Sequence, residues 1–156
     1  MILQESNGIV DALGYCAEVG LMQLTPGTAI DLGANVPTYS TSLEQNCKDA
    51  NGNPRIMSIC RKGQPIQNCK PNEDQRFDAE KNILFGTLYI AKQLKAFGND
   101  ESLALYAYNA GPGNPLKYCK LGSDYSYSAC TFVPDSTKNT YIPSILGYKS
   151  TLDKSQ

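Results

Sequence analysis

Four short segments carry side chains that could do chemistry, and they follow one another in a fixed order. They are Gln4-Glu5-Ser6, then Gly20-Leu21-Met22-Gln23-Leu24 with Thr25-Pro26, then Asn82-Ile83 with Gly86, then Ala107-Tyr108-Asn109-Ala110-Gly111-Pro112-Gly113. A weaker fifth, Thr140-Tyr141 with Pro143 and Leu146, follows them. The chain holds no histidine. That excludes Ser-His and Cys-His nucleophilic catalysis and most catalytic zinc sites. Acid–base work must therefore fall to carboxylates, Tyr or Lys, and no metal or cofactor is expected. Glu5 is the carboxylate that stands in the most distinctive surroundings.

Each residue also has a plainer reading. A single Glu near a helix end is usually a solvated charge, and Gln23 could simply cap the helix that follows Thr25. Tyr108 on an apolar helical face is more often core than ligand, and the sequence around Tyr141 is the least specific of the set. Asn82 and Gly86 are assigned to structure, as a helix-start contact and a close-packing site. The ten tyrosines, with no tryptophan, are compatible with sugar stacking without establishing it.

The elements that must position these residues are mostly helices. Residues 1–6 read as the tail of a helix cut short by Ser6-Asn7-Gly8. Residues 26–32 read as a short helix with Thr25 as N-cap, Pro26 at its first position and Gly33 as its stop. The longest helix has Asp78 as N-cap, repeats Ile83, Thr87, Ile90, Leu94 and Phe97 at helical spacing, and ends at Gly98. Another starts at Asp100, carries Leu103, Ala107 and Ala110, and breaks at Gly111-Pro112-Gly113. Ser136 or Thr137 can cap a last helix running through Tyr148, with Pro143 either in its first turns or at a kink. Residues 34–76 differ: they are rich in Asn, Pro and Gly, hold three cysteines, and show little periodicity. They read as a long disulfide-tied insertion ordered by cross-links or short strands.

The six cysteines are Cys16, Cys47, Cys60, Cys69, Cys119 and Cys130, with no C-x-x-C among them. An even count in polar, loop-like surroundings reads as three disulfides and an oxidising compartment, the periplasm or the cell exterior. Cys119 and Cys130 flank a short Tyr/Ser-rich loop and are the one pair assigned here. Fourteen basic and fifteen acidic residues leave a net charge of −1, which speaks against a nucleic-acid partner. No apolar run approaches the roughly 18–20 residues that span a bilayer. No basic n-region precedes an apolar h-region at the start, so an export signal is expected to be removed or to lie outside this chain. With 156 residues, 41% of them hydrophobic, the chain fits one folded domain, residues 1–156.

The ordered motif set resembles the catalytic domain of the soluble lytic transglycosylases, which share the fold of goose-type lysozyme. The resemblance covers the chain apart from residues 34–76 and the loop 119–130. It implies a mainly α, lysozyme-like α+β fold: a single helical domain with a cleft and an inserted excursion. It also implies that Glu5 is the catalytic acid and base. Met22 and Gln23 would line the cleft beside it, and Tyr108 and Asn109 would face the scissile sugar. Tyr141 would close over the catalytic carboxyl, and Ser6, counted with the substrate-binding set, has a hydroxyl with a structural job. The implied substrate is the peptidoglycan glycan strand. The implied product is a 1,6-anhydro sugar, and the implied setting is local wall opening for secretion, conjugation, pilus assembly, wall turnover or a phage particle.

Three departures from the family pattern stand out. Only four residues precede Glu5, so the fold's first helix is expected to be shortened. The usual Ser and Gly-Ala ahead of Gly-Leu-Met-Gln are replaced by Gly14-Tyr15-Cys16-Ala17-Glu18-Val19. The third is the insertion. Two other functions stay open at this point. One is a water-using muramidase, for which Glu18 and Asp31 are the nearest further acids. The other is a non-catalytic protein that grips peptidoglycan.

Overall fold

Helix starts and stops follow the capping chemistry written in the sequence. The computed structural model describes residues 1–14, 17–37, 43–48, 54–59 and 73–155, with the strands at 43–48 and 54–59 given as backbone. Helix α1 (Ile2–Ser6) ends on Asn7, whose left-handed φ of 53° turns the chain. Helix α2 (Pro26–Asp31) starts at Thr25, whose side chain accepts from the Thr28 N–H. Helix α3 (Ala79–Ala96) starts at Asp78, whose carboxylate accepts from the Lys81 N–H at 3.0 Å. Helix α4 (Glu101–Ala110) is capped in the same way by Asp100 on the Leu103 N–H.

The insertion expected at residues 34–76 is tied together at its mouth. Asn35 donates its backbone N–H to the Gln75 side chain and its amide to the Glu73 carbonyl, both at 2.9 Å. The Gln75 N–H donates back to the Asn35 carbonyl at 3.0 Å. Inside it, strands β1 (Leu43–Lys48) and β2 (Pro54–Ile59) pair antiparallel, Leu43 opposite Ile59 and Lys48 opposite Pro54. These are the short strands expected there. The disulfides expected of Cys16, Cys47, Cys60 and Cys69 lie outside the described residues. Cys119 and Cys130 are bonded as expected.

Three features depart from the sequence expectation. Of the expected stripe Ile83, Thr87, Ile90, Leu94 and Phe97, only Phe97 is buried, Ile90 and Leu94 are half-buried, and Ile83 and Thr87 face outward. Ile83 is 38% exposed and Leu84 and Leu88 more so, while Asn82, Gly86, Gln93 and Phe97 are buried. Hydrophobic spacing finds the wrong phase because the inward positions are held by polar or side-chain-free residues, which the pattern scores as outward. The second is a short helix, α5 (Gly113–Tyr118), that resumes directly after the Gly-Pro-Gly break. Beyond it, β3 (Lys120–Leu121) pairs with β4 (Asp124–Tyr125) inside the disulfide loop. The third lies ahead of Pro143. Residues Thr137–Tyr141 form a π-helical turn, closed by the Ile142 N–H on the Thr137 carbonyl, before α6 (Ile142–Asp153) continues five residues past Tyr148. Pro143 falls in the first turn of α6, where its missing N–H costs least.

The chain is mainly helical, and its described residues fall into two compact units, Met1–Leu88 and Tyr89–Gln156. The first buries Ala17, Val19, Leu21, Met22, Leu24 and Ala29. The second is built on α4, whose Leu103 to Ala107 are all buried, with Ile142 and Ile145 of α6. Among the described residues no helix is long and apolar enough to cross a membrane.

Candidate active site

In the first unit the site residues gather on the loop Gly20–Gln23. Its Leu21 and Met22 are buried in the core, and hydrogen bonds from neighbouring elements fix its backbone. Ser6, the residue after Glu5, donates its hydroxyl to the Leu21 carbonyl at 3.0 Å and sits within reach of Ile2 O at 3.2 Å. Ser6 is 7% exposed, so its hydroxyl joins the end of α1 to the loop. That bond fixes the helix on which half-buried Glu5 stands.

Asn82, fully buried in the first turn of α3, supplies the second brace. Its carbonyl accepts from the Met22 N–H at 2.7 Å, and its amide donates to the Val19 and Arg76 carbonyls at 2.9 and 2.8 Å. Three of its four hydrogen-bonding positions are thereby filled by backbone. One turn on, Gly86 lies against Met22: a Cβ there would sit 2.5 Å from the Met22 Cβ and 2.6 Å from its Cγ. The helix-start contact and close-packing site expected of these two residues are what the structure contains.

Gln23 adopts a left-handed φ of 48° and turns its side chain back onto its own loop. Its amide group donates to the Ala12 carbonyl at 3.2 Å and the Gly20 carbonyl at 2.9 Å. Two carbonyl acceptors fix the amide orientation, and the Gln23 Oε1 lies beside Gly14, 2.6 Å from where a Cβ would stand. It does not cap α2, a task done by Thr25.

Arg76 was not found from the sequence. It is fully buried and paired with Asp74, both side chains being 0% exposed, with Nη2 and Oδ2 2.7 Å apart. Its Nη1 donates to the Ala17 and Leu24 carbonyls at 2.7 and 3.2 Å, so it grips the segment that leads into and out of the loop. A buried guanidinium needs this many acceptors to offset its desolvation. Nothing in a lone Arg-Phe-Asp stretch signals such a role. Gly20 is required by the same hub: with φ +82° it accepts no ordinary side chain, and a Cβ would meet Arg76 O at 2.5 Å and the Asn82 amide.

In the second unit α4 presents Tyr108 half-buried and Asn109 exposed. The Tyr108 ring packs on Tyr89 with centroids 5.0 Å apart and planes tilted by 51°. The Asn109 carbonyl accepts from the hydroxyl of Thr137 at 2.6 Å. Thr137 is 1% exposed and opens the π-helical turn that ends on Tyr141, itself 5% exposed. Sequence reasoning took Thr137 only as a helix cap; here it orients Asn109. Beside it, the fully buried Tyr106 donates its hydroxyl to the Phe132 carbonyl at 3.1 Å. Burial raises the Tyr106 pKa above its ordinary value, with Tyr118 and Tyr127 adding to the effect, which keeps that donor protonated.

A mainly helical chain with a small sheet, a carboxylate at the end of a short helix and a clamped Gly-Leu-Met-Gln loop defines a lysozyme-like class. Residues 56–129 match the family model of the Transglycosylase SLT domain. The match takes in α3, α4 and the Tyr108-Asn109 motif, and stops short of Glu5 and Gln23. A solved structure of an inactive mutant of the lytic transglycosylase Slt from Pseudomonas aeruginosa shares the fold. Its TM-score is 0.56 at 25% sequence identity, over 94% of this chain and 19% of that chain. The chain thus spans about a fifth of the length of the Slt protein it matches. The resemblance read from the sequence is borne out in that this family model and this solved structure are both similar to the chain.

Proposed function

We propose that this chain is a peptidoglycan lytic transglycosylase domain in which Glu5 serves first as general acid and then as general base. The observation that carries this reading is the bond from Ser6 to the Leu21 carbonyl. It couples the helix end bearing Glu5 to the loop bearing Met22 and Gln23, the two segments whose order in the sequence first suggested the family. Glycoside cleavage ordinarily takes two carboxylates. A substrate that supplies its own nucleophile needs only one.

In the proposed cycle Glu5 protonates the oxygen bridging N-acetylmuramic acid and N-acetylglucosamine, and the C1–O bond breaks. The muramic N-acetyl group stabilises the positive charge at C1. Glu5, now a carboxylate, removes the proton of the C6 hydroxyl as that oxygen bonds to C1, closing a 1,6-anhydro ring and restoring the acid. The Gln23 carbonyl oxygen is available to accept from a sugar hydroxyl or amide. The Asn109 amide, with its carbonyl occupied by Thr137, is a donor to the sugar. Tyr108 offers a ring edge supported by Tyr89. The cysteine content supports a setting in the periplasm or outside the cell, where a secretion, conjugation or pilus apparatus is the partner class that needs local wall opening.

The test is Glu5→Gln, which preserves shape and removes the proton. Turbidity clearing of purified sacculi should fall by about 10²–10⁴-fold, with an unchanged circular dichroism spectrum. A variant keeping more than about a tenth of wild-type turnover would place the acid elsewhere.

A further inference from the structure

A side-chain hydroxyl in a protein interior ordinarily bonds to backbone or to water. In the second unit one is given instead to an exposed side chain. Thr137 is 1% exposed, and its hydroxyl donates to the Asn109 side-chain oxygen at 2.6 Å. Asn109 stands exposed, one residue before the end of α4. Water would satisfy an exposed amide about as well, so the bond adds little to stability. What it fixes is direction. An asparagine can present either its oxygen or its nitrogen, and its terminal torsion turns broadly between the two. With the oxygen held by Thr137, the nitrogen is the group left to meet a ligand.

Both ends of this contact are built in. Helix α4 is anchored by the Tyr106 hydroxyl on the Phe132 carbonyl at 3.1 Å. The Phe132 ring packs on Tyr118 at 5.1 Å, and Thr131 donates its N–H and hydroxyl to the Tyr118 carbonyl at 2.8 and 3.2 Å. The other end is the π-helical turn. In an α-helix, residues five apart point to different sides. Here the Ile142 N–H closes on the Thr137 carbonyl, and Thr137 is buried together with Tyr141 and Ile142. Single π turns are rare and recur at functional sites. This one gives up regular helix geometry and brings inward a hydroxyl whose partner is Asn109.

We propose that Thr137 is a positioning residue for glycan binding: it locks the Asn109 amide with its nitrogen toward the sugar. The proposal rests on the reading of Asn109 as a sugar-binding residue. Thr137 acts through Asn109 alone.

The experiment titrates the full Glu5→Gln chain calorimetrically with a peptide-free tetrasaccharide of alternating N-acetylglucosamine and N-acetylmuramic acid. Thr137→Val keeps the shape and removes the donor, and should weaken binding about fivefold. Thr137→Ser keeps the donor and should bind within about twofold of the parent. Asn109→Ala should lose at least as much as Thr137→Val, and adding Thr137→Val to it should cost nothing more. Asn109→Asp retains the acceptor and lacks the nitrogen, so it should bind no better than Asn109→Ala. The lock itself is read from the Asn109 side-chain amide resonances in nitrogen-labelled protein. They should move to the positions of a free asparagine in Thr137→Val and stay in place in Thr137→Ser. If Thr137→Val does not fold, Thr137→Ala takes its place, and Asn109→Asp decides by itself whether the nitrogen is the acting group. No binding by the parent, unchanged binding in Thr137→Val, a loss that persists on the Asn109→Ala background, parent-like binding by Asn109→Asp, or unmoved resonances would each overturn the proposal. Digestion of sacculi by the wild-type chain is read separately. If digestion fails while binding and resonances follow the expectation, the enzymatic reading falls and the positioning role stands. If digestion succeeds without them, the positioning role falls alone.

Discussion

At the scale of single residues, the loop Gly20–Gln23 is held by groups whose value lies in what they touch. Gly86 gives the sharpest case. Replacing a helical glycine by alanine gains about 1 kcal/mol of helix propensity where there is room. There is none at Gly86, because the new Cβ would stand 2.5 Å from the Met22 Cβ. A Cβ lies one bond from the backbone and cannot rotate aside, and the Met22 N–H is already fixed to Asn82. Overpacking of this kind costs about 1–3 kcal/mol, so it outweighs the propensity term. Gly86→Ala should lower stability in urea by up to about 2 kcal/mol, net of those two effects. Its lytic rate should fall by more than the unfolded fraction explains, because the loop bearing Gln23 must shift. Gly147→Ala is the control. Nothing lies within 4 Å of a Cβ at that position in α6, so the same exchange should stabilise by about 0.5–1 kcal/mol. Equal signs for the two variants would show that Gly86 is not a packing site. Asn82 and Gly86 were legible in sequence as polar and small residues at the start of a helix. Arg76 and Thr137 were not, since burial and hydrogen-bond partners of a common residue type leave no local pattern.

At the scale of elements, caps were read well and phases poorly. Thr25, Asp78 and Asp100 each bond the N–H groups that a helix start leaves over, a local requirement that one or two residues reveal. The buried face of α3 depends instead on Asn82, Gly86 and Gln93, the first two held against Val19 and Met22, which are distant in sequence. Helix α5 has six residues with a proline inside, too short for periodicity to show. The π-helical turn is a tertiary device that brings Thr137 and Tyr141 into the interior. The Cys119–Cys130 loop was legible from its spacing, though its β3–β4 pair was not. Its ends are 11 residues apart in sequence. A cross-link of that span should stabilise the fold by about 3 kcal/mol by restricting the unfolded chain. The double variant Cys119→Ala with Cys130→Ala should lose that amount in urea titration. It is a cleaner test than a reductant, which would also reach the other four cysteines. A loss below about 1 kcal/mol would mean that the Thr131 and Phe132 contacts hold the loop unaided.

At the scale of the whole molecule, the question is which nucleophile completes the reaction. The chain of 156 residues has no histidine, and the motif set supplies one carboxylic acid in a family position. A hydrolytic enzyme must bind and align a water and usually spends a second carboxylate on it. The nearest further acids for that task are Glu18 and Asp31. Asp31 closes the exposed last turn of α2, and Glu18 lies on the segment leading into the loop Gly20–Gln23. The C6 hydroxyl needs no such residue, because it is covalently part of the ring whose C1 is attacked. Tethering of that kind can be worth on the order of 7–11 kcal/mol against a free nucleophile in ideal geometry. Even a small share of it lets the intramolecular route overtake water. Sacculi digested by the wild-type chain should therefore release muropeptides ending in 1,6-anhydro-N-acetylmuramic acid, each one water lighter than its lysozyme counterpart by mass spectrometry. Predominance of reducing ends would make the enzyme a muramidase. Glu18 would then be the first residue to replace in search of the base that activates water.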